Sequence, residues 1–87
     1  MEKIKQLIAD NRAEEAIRLL KTYTTEHQES GEAWFLLGKA YHKLGDIRLA
    51  LNAYLRAIEI DPDSPARTAY DMVIKVLNFY NKDMYNQ

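Results

Sequence analysis

Residues 34–46 read WFLLGKAYHKLGD, a helical pattern of apolar residues with a glycine in its middle. Glycine in a helix interior costs about 1 kcal/mol relative to alanine. An isolated helix glycine usually has a packing reason, so Gly38 is expected to let a second helix come close. The stretch ends in Gly45 and Asp46. Glycine suits the left-handed end of a helix and aspartate caps the next one, which predicts helix, tight turn and helix.

Similar breaks divide the rest of the chain, at residues 10–11, 30–31 and 60–65. Pro62 disfavours helical geometry at the residue before it, so a helix should end there. Ser64 and Pro65 indicate a helix start, because serine caps free N–H groups and proline fits the first helical position. The sequence predicts an all-α protein whose short connections make neighbouring helices antiparallel. The expected helices are at about residues 2–9, 12–27, 31–44, 47–60 and 65–82.

The sequence also matches itself at a shift of 34 residues. At that shift Asn11 falls on Gly45, and both residue types suit a left-handed turn. Ala16 falls on Ala50, which aligns two small apolar sites. We therefore predict two copies of one helix-turn-helix unit, the first of which lacks its beginning.

The second copy resembles the tetratricopeptide repeat family, whose pattern is W-x2-L-G-x2-Y, then A-x3-F, then P. The matching residues are Trp34, Leu37, Gly38, Tyr41, Ala50, Tyr54 and Pro62, with tyrosine in place of the phenylalanine. The resemblance implies a short α-solenoid of antiparallel helix pairs in one domain, 1–87. Its parts are a truncated first repeat (1–30), a full repeat (31–64) and a C-terminal capping helix with a tail (65–87). It further implies that the two helices of the full repeat touch at Gly38 and Ala50.

The amino-acid composition argues against several classes of function. The 87 residues include no cysteine, 12 Lys or Arg and 13 Asp or Glu. This balance lacks the basic excess of nucleic-acid-binding proteins, and no apolar run approaches the roughly 20 residues of a membrane span. The absence of cysteine fits a reducing compartment, so a cytoplasmic location is expected. No catalytic constellation, metal site or cofactor motif occurs in the sequence; the acidic cluster around residue 61 lacks the glycine and distal glutamate of a calcium loop.

Because no catalytic or metal site is indicated, we expect the protein to act through a binding surface. In tetratricopeptide proteins the first helix of each repeat builds a concave face that commonly holds a peptide, so the resemblance implies a protein or peptide partner. The corresponding positions here are Lys5, Phe35, Lys39, His42, Val73, Val76 and Tyr80. Two lysines one repeat apart predict a partner that combines acidic and apolar residues. The alternative interpretation makes Phe35 part of a small core and both lysines ordinary solvated residues.

The wide apolar arc of the last helix indicates a second possible function. Its apolar residues cover well over half of the helical circumference, whereas a surface helix needs an apolar arc only a little over 100° wide. Packing on the preceding repeat should bury only part of that arc, and large exposed apolar patches usually mark partner sites. A self-associating scaffold, weakly homodimeric through this helix, is therefore the alternative to an adaptor that binds a peptide in its groove.

Overall fold

The computed structural model describes residues 1–85, with side chains described through Phe79. All regular structure in this range is helical. The helices are α1 (Glu2–Ala9), α2 (Ala13–Glu26), α3 (Gly31–Leu44), α4 (Ile47–Ile60) and α5 (Ala66–Tyr85). The prediction of an all-α fold built from antiparallel helix pairs is confirmed. The bounds agree with those expected to within a residue, except that α5 continues three residues beyond 82, because residues 83–85 contain neither glycine nor proline.

Side-chain caps begin three of the helices. The Ser30 hydroxyl oxygen accepts a hydrogen bond from the backbone N–H of Ala33 at 3.2 Å, at the start of α3. Asp46 does the same for the third residue of α4, at 3.3 Å. Ser64, which is buried, accepts from the N–H of Ala66 at 3.0 Å and begins α5 as expected. Each cap satisfies a backbone donor that has no partner within its helix.

The first and third connections are copies of one turn. Asn11 and Gly45 both have positive φ, 63° and 81°. The Gly45 N–H donates to the His42 carbonyl, and the N–H of the next residue donates to the Tyr41 carbonyl, both at 3.0 Å. One period earlier, the N–H groups of residues 11 and 12 donate to the carbonyls of residues 8 and 7 in the same pattern. The predicted correspondence of Asn11 with Gly45 is therefore confirmed at the level of backbone hydrogen bonds.

Helix α3 is the centre of the packing, since it contacts α1, α2 and α4, while α5 packs on α4. The most extensive contact joins α3 to α4. Leu20 of α2 and Tyr54 of α4 are the largest fully buried side chains. Alanines fill the contacts between helices: Ala16, Ala33, Ala40, Ala50, Ala57 and Ala66 are all fully buried. Small side chains let the helix backbones approach closely enough to exclude water.

The close approach at Gly38 has a different partner from the expected one. The atoms nearest to a Cβ at this position all belong to the Tyr54 ring, with Cγ at 3.1 Å and Cδ1 and Cε1 closer still. Ala50 is buried in the same helix pair but is not among those nearest atoms. The nearest neighbour of Gly38 is thus the Tyr54 ring rather than Ala50, and glycine makes room for an aromatic ring that lies on the α3 backbone.

Candidate partner-binding surfaces

The first candidate surface lies across α1 and α3. A cavity of about 370 Å³ is lined there by Lys5, Ile8, Ala9, Phe35, Leu36, Lys39 and Lys43. These residues define the α1–α3 surface. Three of the predicted site residues, Lys5, Phe35 and Lys39, lie together on it. Lys5 and Lys39 were predicted at equivalent positions of successive repeats, and α1 and α3, which carry them, are in contact.

Phe35 and Lys39 form the centre of this surface. The Lys39 ammonium nitrogen lies 5.6 Å from the centroid of the Phe35 ring, within the range of a cation–π contact. Phe35 is half-buried, packs against the core and lies 6.1 Å, centroid to centroid, from the Tyr54 ring. The ring is therefore held by the core while part of it remains exposed. Its packing fits the interpretation of Phe35 as a core residue, and its role as a partner contact stays a prediction.

Lys5 is already engaged by acidic residues. Its ammonium nitrogen lies 3.2 Å from a carboxylate oxygen of Glu2 and 3.4 Å from one of Glu32. Hydrogen bonds to Glu2 and then Glu32, followed by their charges, raise the pKa of Lys5 above its usual value. Lys5 therefore brings little uncompensated charge to this surface, because two carboxylates already neutralise it.

Two lysines that form no ion pair within the described residues, Lys39 and Lys43, lie at the other end of the same surface. Lys39, His42 and Lys43 line a further depression of about 270 Å³. None of the three forms an ion pair within the described part of the chain. Lys43 was missed by sequence reasoning, which followed the positions of one narrow stripe. Its spacing of four residues from Lys39, one helical turn on the same face, was the available signal.

The three partner contacts predicted on α5 differ in their exposure to solvent and in whether their side chains are described. Val73 is only 3% exposed and belongs to the core, so it is corrected from a partner contact to a packing residue. Val76 is 53% exposed. Tyr80 lies outside the residues whose side chains are described. A cavity of about 310 Å³ next to Lys5 and Phe35 is bordered instead by Ser64 and Pro65, which precede α5.

An apolar stripe does occur on α5. Met72, Val76 and Phe79 are 62%, 53% and 73% exposed. Their spacing of four and three residues places them on one side of the helix. The positions where a following repeat would pack, Thr68, Asp71, Met72 and Lys75, are all exposed.

A further cavity, larger than those described above, is on neither of these surfaces. It has a volume of about 500 Å³ and lies between α2 and α4, over the inner part of α3. Its lining is Lys21, Thr24, Thr25, Trp34, Leu37, Tyr41, Leu49, Asn52, Ala53 and Arg56. We name it the α2–α4 cavity. Sequence reasoning missed it because Trp34, Leu37 and Tyr41 were assigned entirely to packing between helices.

The acidic residues near the end of α4 serve the turn. The Asp61 carboxylate accepts a hydrogen bond from the backbone N–H of Asp63 at 3.0 Å, which holds the connection to α5. Within the described residues, no group of three potential metal ligands comes together. In the same part of the chain, no helix has both the length and the apolar character needed to cross a membrane.

Comparison with known proteins agrees with this architecture. An uncharacterized protein of Treponema pallidum (strain Nichols) is 34% identical in an alignment 85 residues long that covers 90% of this chain. The chain spans only 16% of the length of that relative. The solution NMR structure of Bacteroides fragilis protein BF1650 matches with a TM-score of 0.84 and 52% identity, over 99% of this chain and 88% of that one.

The family follows from the repeat itself. Residues 31–64 match the model of the Tetratricopeptide repeat family, over the same range that the sequence motif delimits. Such repeats are protein-interaction modules in general, and the family is a non-catalytic repeat scaffold. The motif, the helix pair of residues 31–64 and the family match agree, and this segment of the chain is a tetratricopeptide repeat.

Proposed function

We propose that the α1–α3 surface binds a peptide segment of a partner protein in which a carboxylate stands next to an apolar side chain. The observation that carries this proposal is the pair formed by Lys39 and Phe35, with the ammonium nitrogen 5.6 Å from the ring centroid. An uncompensated cation and the exposed part of an aromatic ring thus occupy one patch. Such a patch complements both parts of the proposed segment.

The apolar contacts must supply most of the affinity. Exposed ion pairs contribute only about 0–1 kcal/mol each, whereas a fully buried large apolar side chain contributes roughly 1.5–3 kcal/mol. The lysines mainly set specificity and the association rate, because complementary charges steer encounter. Binding should therefore weaken moderately, but not vanish, as salt is added.

The acidic part of the segment should lie toward Lys39 and Lys43. Neither of these lysines forms an ion pair in the described part of the chain, whereas Lys5 is held by Glu2 and Glu32. His42 borders the same depression and adds a polar imidazole to it. The original expectation of equal roles for Lys5 and Lys39 therefore becomes a proposal centred on Lys39. A cytoplasmic partner remains part of the proposal, supported by the cysteine-free sequence.

Titration of a peptide library against matched variants tests this function. Lys39→Glu should abolish the preference for acidic peptides, and Phe35→Ala should weaken every ligand that the wild type binds. Lys3→Glu changes the same charge at an exposed site that lines none of these cavities, so it should bind as the wild type does. If neither Lys39→Glu nor Phe35→Ala weakens any ligand of the wild type, the α1–α3 surface is not the site.

A homodimer formed through α5 is the second candidate function. The stripe of Met72, Val76 and Phe79 supports it, because each side chain is more than half exposed. Sedimentation equilibrium at high protein concentration should then reveal a weak dimer that Val76→Glu abolishes. Arg67→Glu places a carboxylate at another exposed position of α5 and serves as the control. A monomer at every accessible concentration would count against this candidate.

A further inference from the structure

We propose a second, separate binding site: the α2–α4 cavity takes a small amphipathic anion, an organic acid with one carboxylate on an aromatic or aliphatic body. Its volume of about 500 Å³ falls in the range of roughly 300–1,000 Å³ that small-molecule pockets occupy. The cavity lies between α2 and α4, so it shares no lining residue with the α1–α3 surface.

The floor of the cavity is apolar. Leu37, Tyr41 and Ala53 line it, and all three are buried by their own packing. Trp34 forms part of the wall and is half-buried, with part of the indole exposed to the cavity. The Trp34 ring is fixed in place, since its Nε1–H donates to the Gln28 carbonyl at 3.0 Å. A rigid aromatic wall over a closed apolar floor favours an aromatic or aliphatic body.

The rim of the cavity is positively charged. Lys21 reaches it from α2 and Arg56 from α4, and no acidic residue belongs to the lining. Neither cation forms an ion pair within the described residues. The Arg56 guanidinium carbon lies 5.8 Å from the centroid of the Trp34 ring, which orients the group at the cavity edge.

The surroundings leave that charge uncompensated. Glu29 and Glu59 border an adjacent depression that Arg56 also lines, but neither is close enough to pair with it. Thr25 and Asn52 contribute neutral polar groups to the exposed edge. One carboxylate placed between Lys21 and Arg56 would therefore meet two unpaired cations, while its body covers the apolar floor. A neutral ligand of the same shape would gain only the contact with the apolar floor.

The chain carries its own reporter for this site. Trp34 is its single tryptophan and lines the cavity wall. We suggest 4-phenylbutyrate and 4-phenylbutyramide as probes, because they share one body and differ in charge. Titration at low salt should change the Trp34 fluorescence with both, and the carboxylate should bind about three- to tenfold more tightly, as expected for one or two exposed ion pairs.

Substitutions at the rim separate charge from shape. Lys21→Gln and Arg56→Gln should each reduce the advantage of the carboxylate over the amide, and the double variant should remove it. Arg48→Gln loses the same charge at an exposed position of α4 outside the cavity, so it should keep the full advantage. Asn52→Phe should block both probes by filling the opening from an exposed position.

Backbone amide NMR shifts supply a second measurement, since Arg56→Gln alters the surroundings of the Trp34 ring itself. Shifts should concentrate on α2, α4 and the inner part of α3, and Lys39→Glu should leave them unchanged, which separates this site from the α1–α3 surface. Equal affinity for acid and amide, or shifts confined to α1, would overturn the proposal. A leucine-terminated peptide with a free carboxyl group that occupies the cavity more tightly than 4-phenylbutyrate would also overturn it, in favour of a protein C-terminus.

Discussion

The Tyr54 ring lies on the backbone of Gly38, where a Cβ would fall 3.1 Å from Cγ and closer still to Cδ1 and Cε1. Tyr54 is 1% exposed, so its ring is part of the buried core. This contact explains why the central helix carries a residue that weakens it. Glycine costs about 1 kcal/mol in helix propensity, but burial of a large aromatic side chain contributes more.

Gly38→Ala should therefore destabilise the protein, although alanine is the better helix former. Overpacking of a filled core costs about 1–3 kcal/mol, which outweighs the gain of about 1 kcal/mol in propensity. Gly38→Leu should have a much larger effect and force α3 and α4 apart. Urea denaturation measures both changes. A Gly38→Ala variant as stable as the wild type would contradict the close-contact explanation.

A double-mutant cycle identifies the ring as the cause. In a Tyr54→Leu background the atoms that a Cβ at residue 38 meets are gone, so Gly38→Ala should cost less there than in the wild type. A coupling free energy of about 0.5 kcal/mol or more is expected for residues in contact. Equal costs in the two backgrounds would place the strain elsewhere in the helix pair.

The two left-handed turns give a matched pair of substitutions. Nothing lies within 4 Å of a Cβ at Gly45, so Gly45→Ala should meet only the backbone strain that a Cβ adds at φ 81°, at a cost of about 1–2 kcal/mol. Asn11→Gly relieves the same strain at φ 63° but gives the unfolded chain more freedom, so its net effect should stay below about 1 kcal/mol. Thermal melts of the two variants compare them directly. A larger loss at Asn11 than at Gly45 would contradict the equivalence of the turns.

Tyr54 should also make stability fall in alkaline solution. Burial raises the pKa of Tyr54 from 10.0 to about 12. Between these values the unfolded chain has released the phenolic proton while the folded chain still holds it, so the free energy of unfolding decreases as the pH rises. Tyr54→Phe, which restores the residue typical of the repeat, should remove this part of the decrease.

Comparison of variants isolates that contribution, because lysines titrate in the same pH range. Urea denaturation at about pH 9 and about pH 11.5 should show a smaller loss for Tyr54→Phe than for the wild type. Tyr70→Phe, at a half-buried position on α5, is the control for removal of a tyrosine hydroxyl. A loss in Tyr54→Phe equal to that of the wild type would rule out Tyr54 as the source.

The helix ends and turns could be predicted from the sequence, because they depend on local chemistry. The helix start at Ser64, the end before Pro62 and the turns at Asn11 and Gly45 depend on neighbours within a few residues. Each of these predictions is confirmed by the caps and turn hydrogen bonds. The repeat motif fixed the pairing of helices in the same way, because its spacings are characteristic of one family.

The rotation and axial position of one helix relative to another could not be predicted from the sequence, because they depend on packing between helices. The motif indicated that Gly38 serves a close contact, but the orientation of α4 decides that Tyr54, rather than Ala50, fills the space. The same limitation applies to the candidate site. Val73 was assigned to the groove from its position in the repeat, yet the placement of α5 turns it into the core.

The ion pair between Lys5 and Glu32 gives a prediction that links fold to function. It joins α1 to α3 at 3.4 Å, and both side chains are about half exposed, at 44% and 53%. On the proposed function, Glu32 competes with an acidic ligand for Lys5. Glu32→Gln should therefore strengthen binding of an acidic-apolar peptide to the α1–α3 surface by about two- to fivefold, the range of a single exposed ion pair. Its effect on folding should stay below about 1 kcal/mol for the same reason.

Two comparisons determine whether the gain arises at Lys5. Glu14→Gln removes the same charge from an exposed position on α2 and should leave the affinity nearly unchanged, which excludes an effect of net charge. In a Lys5→Gln background, Glu32→Gln should no longer strengthen binding, because the cation that Glu32 shares with Glu2 is absent. The gain should also shrink at about 0.5 M salt, where exposed charges are screened over a few ångströms. Isothermal titration of one peptide against Glu32→Gln, Glu14→Gln, Lys5→Gln and the Lys5→Gln, Glu32→Gln double variant measures these changes in affinity. A gain that persists without Lys5 would mean that Glu32 repels the ligand directly rather than pairing with the lysine.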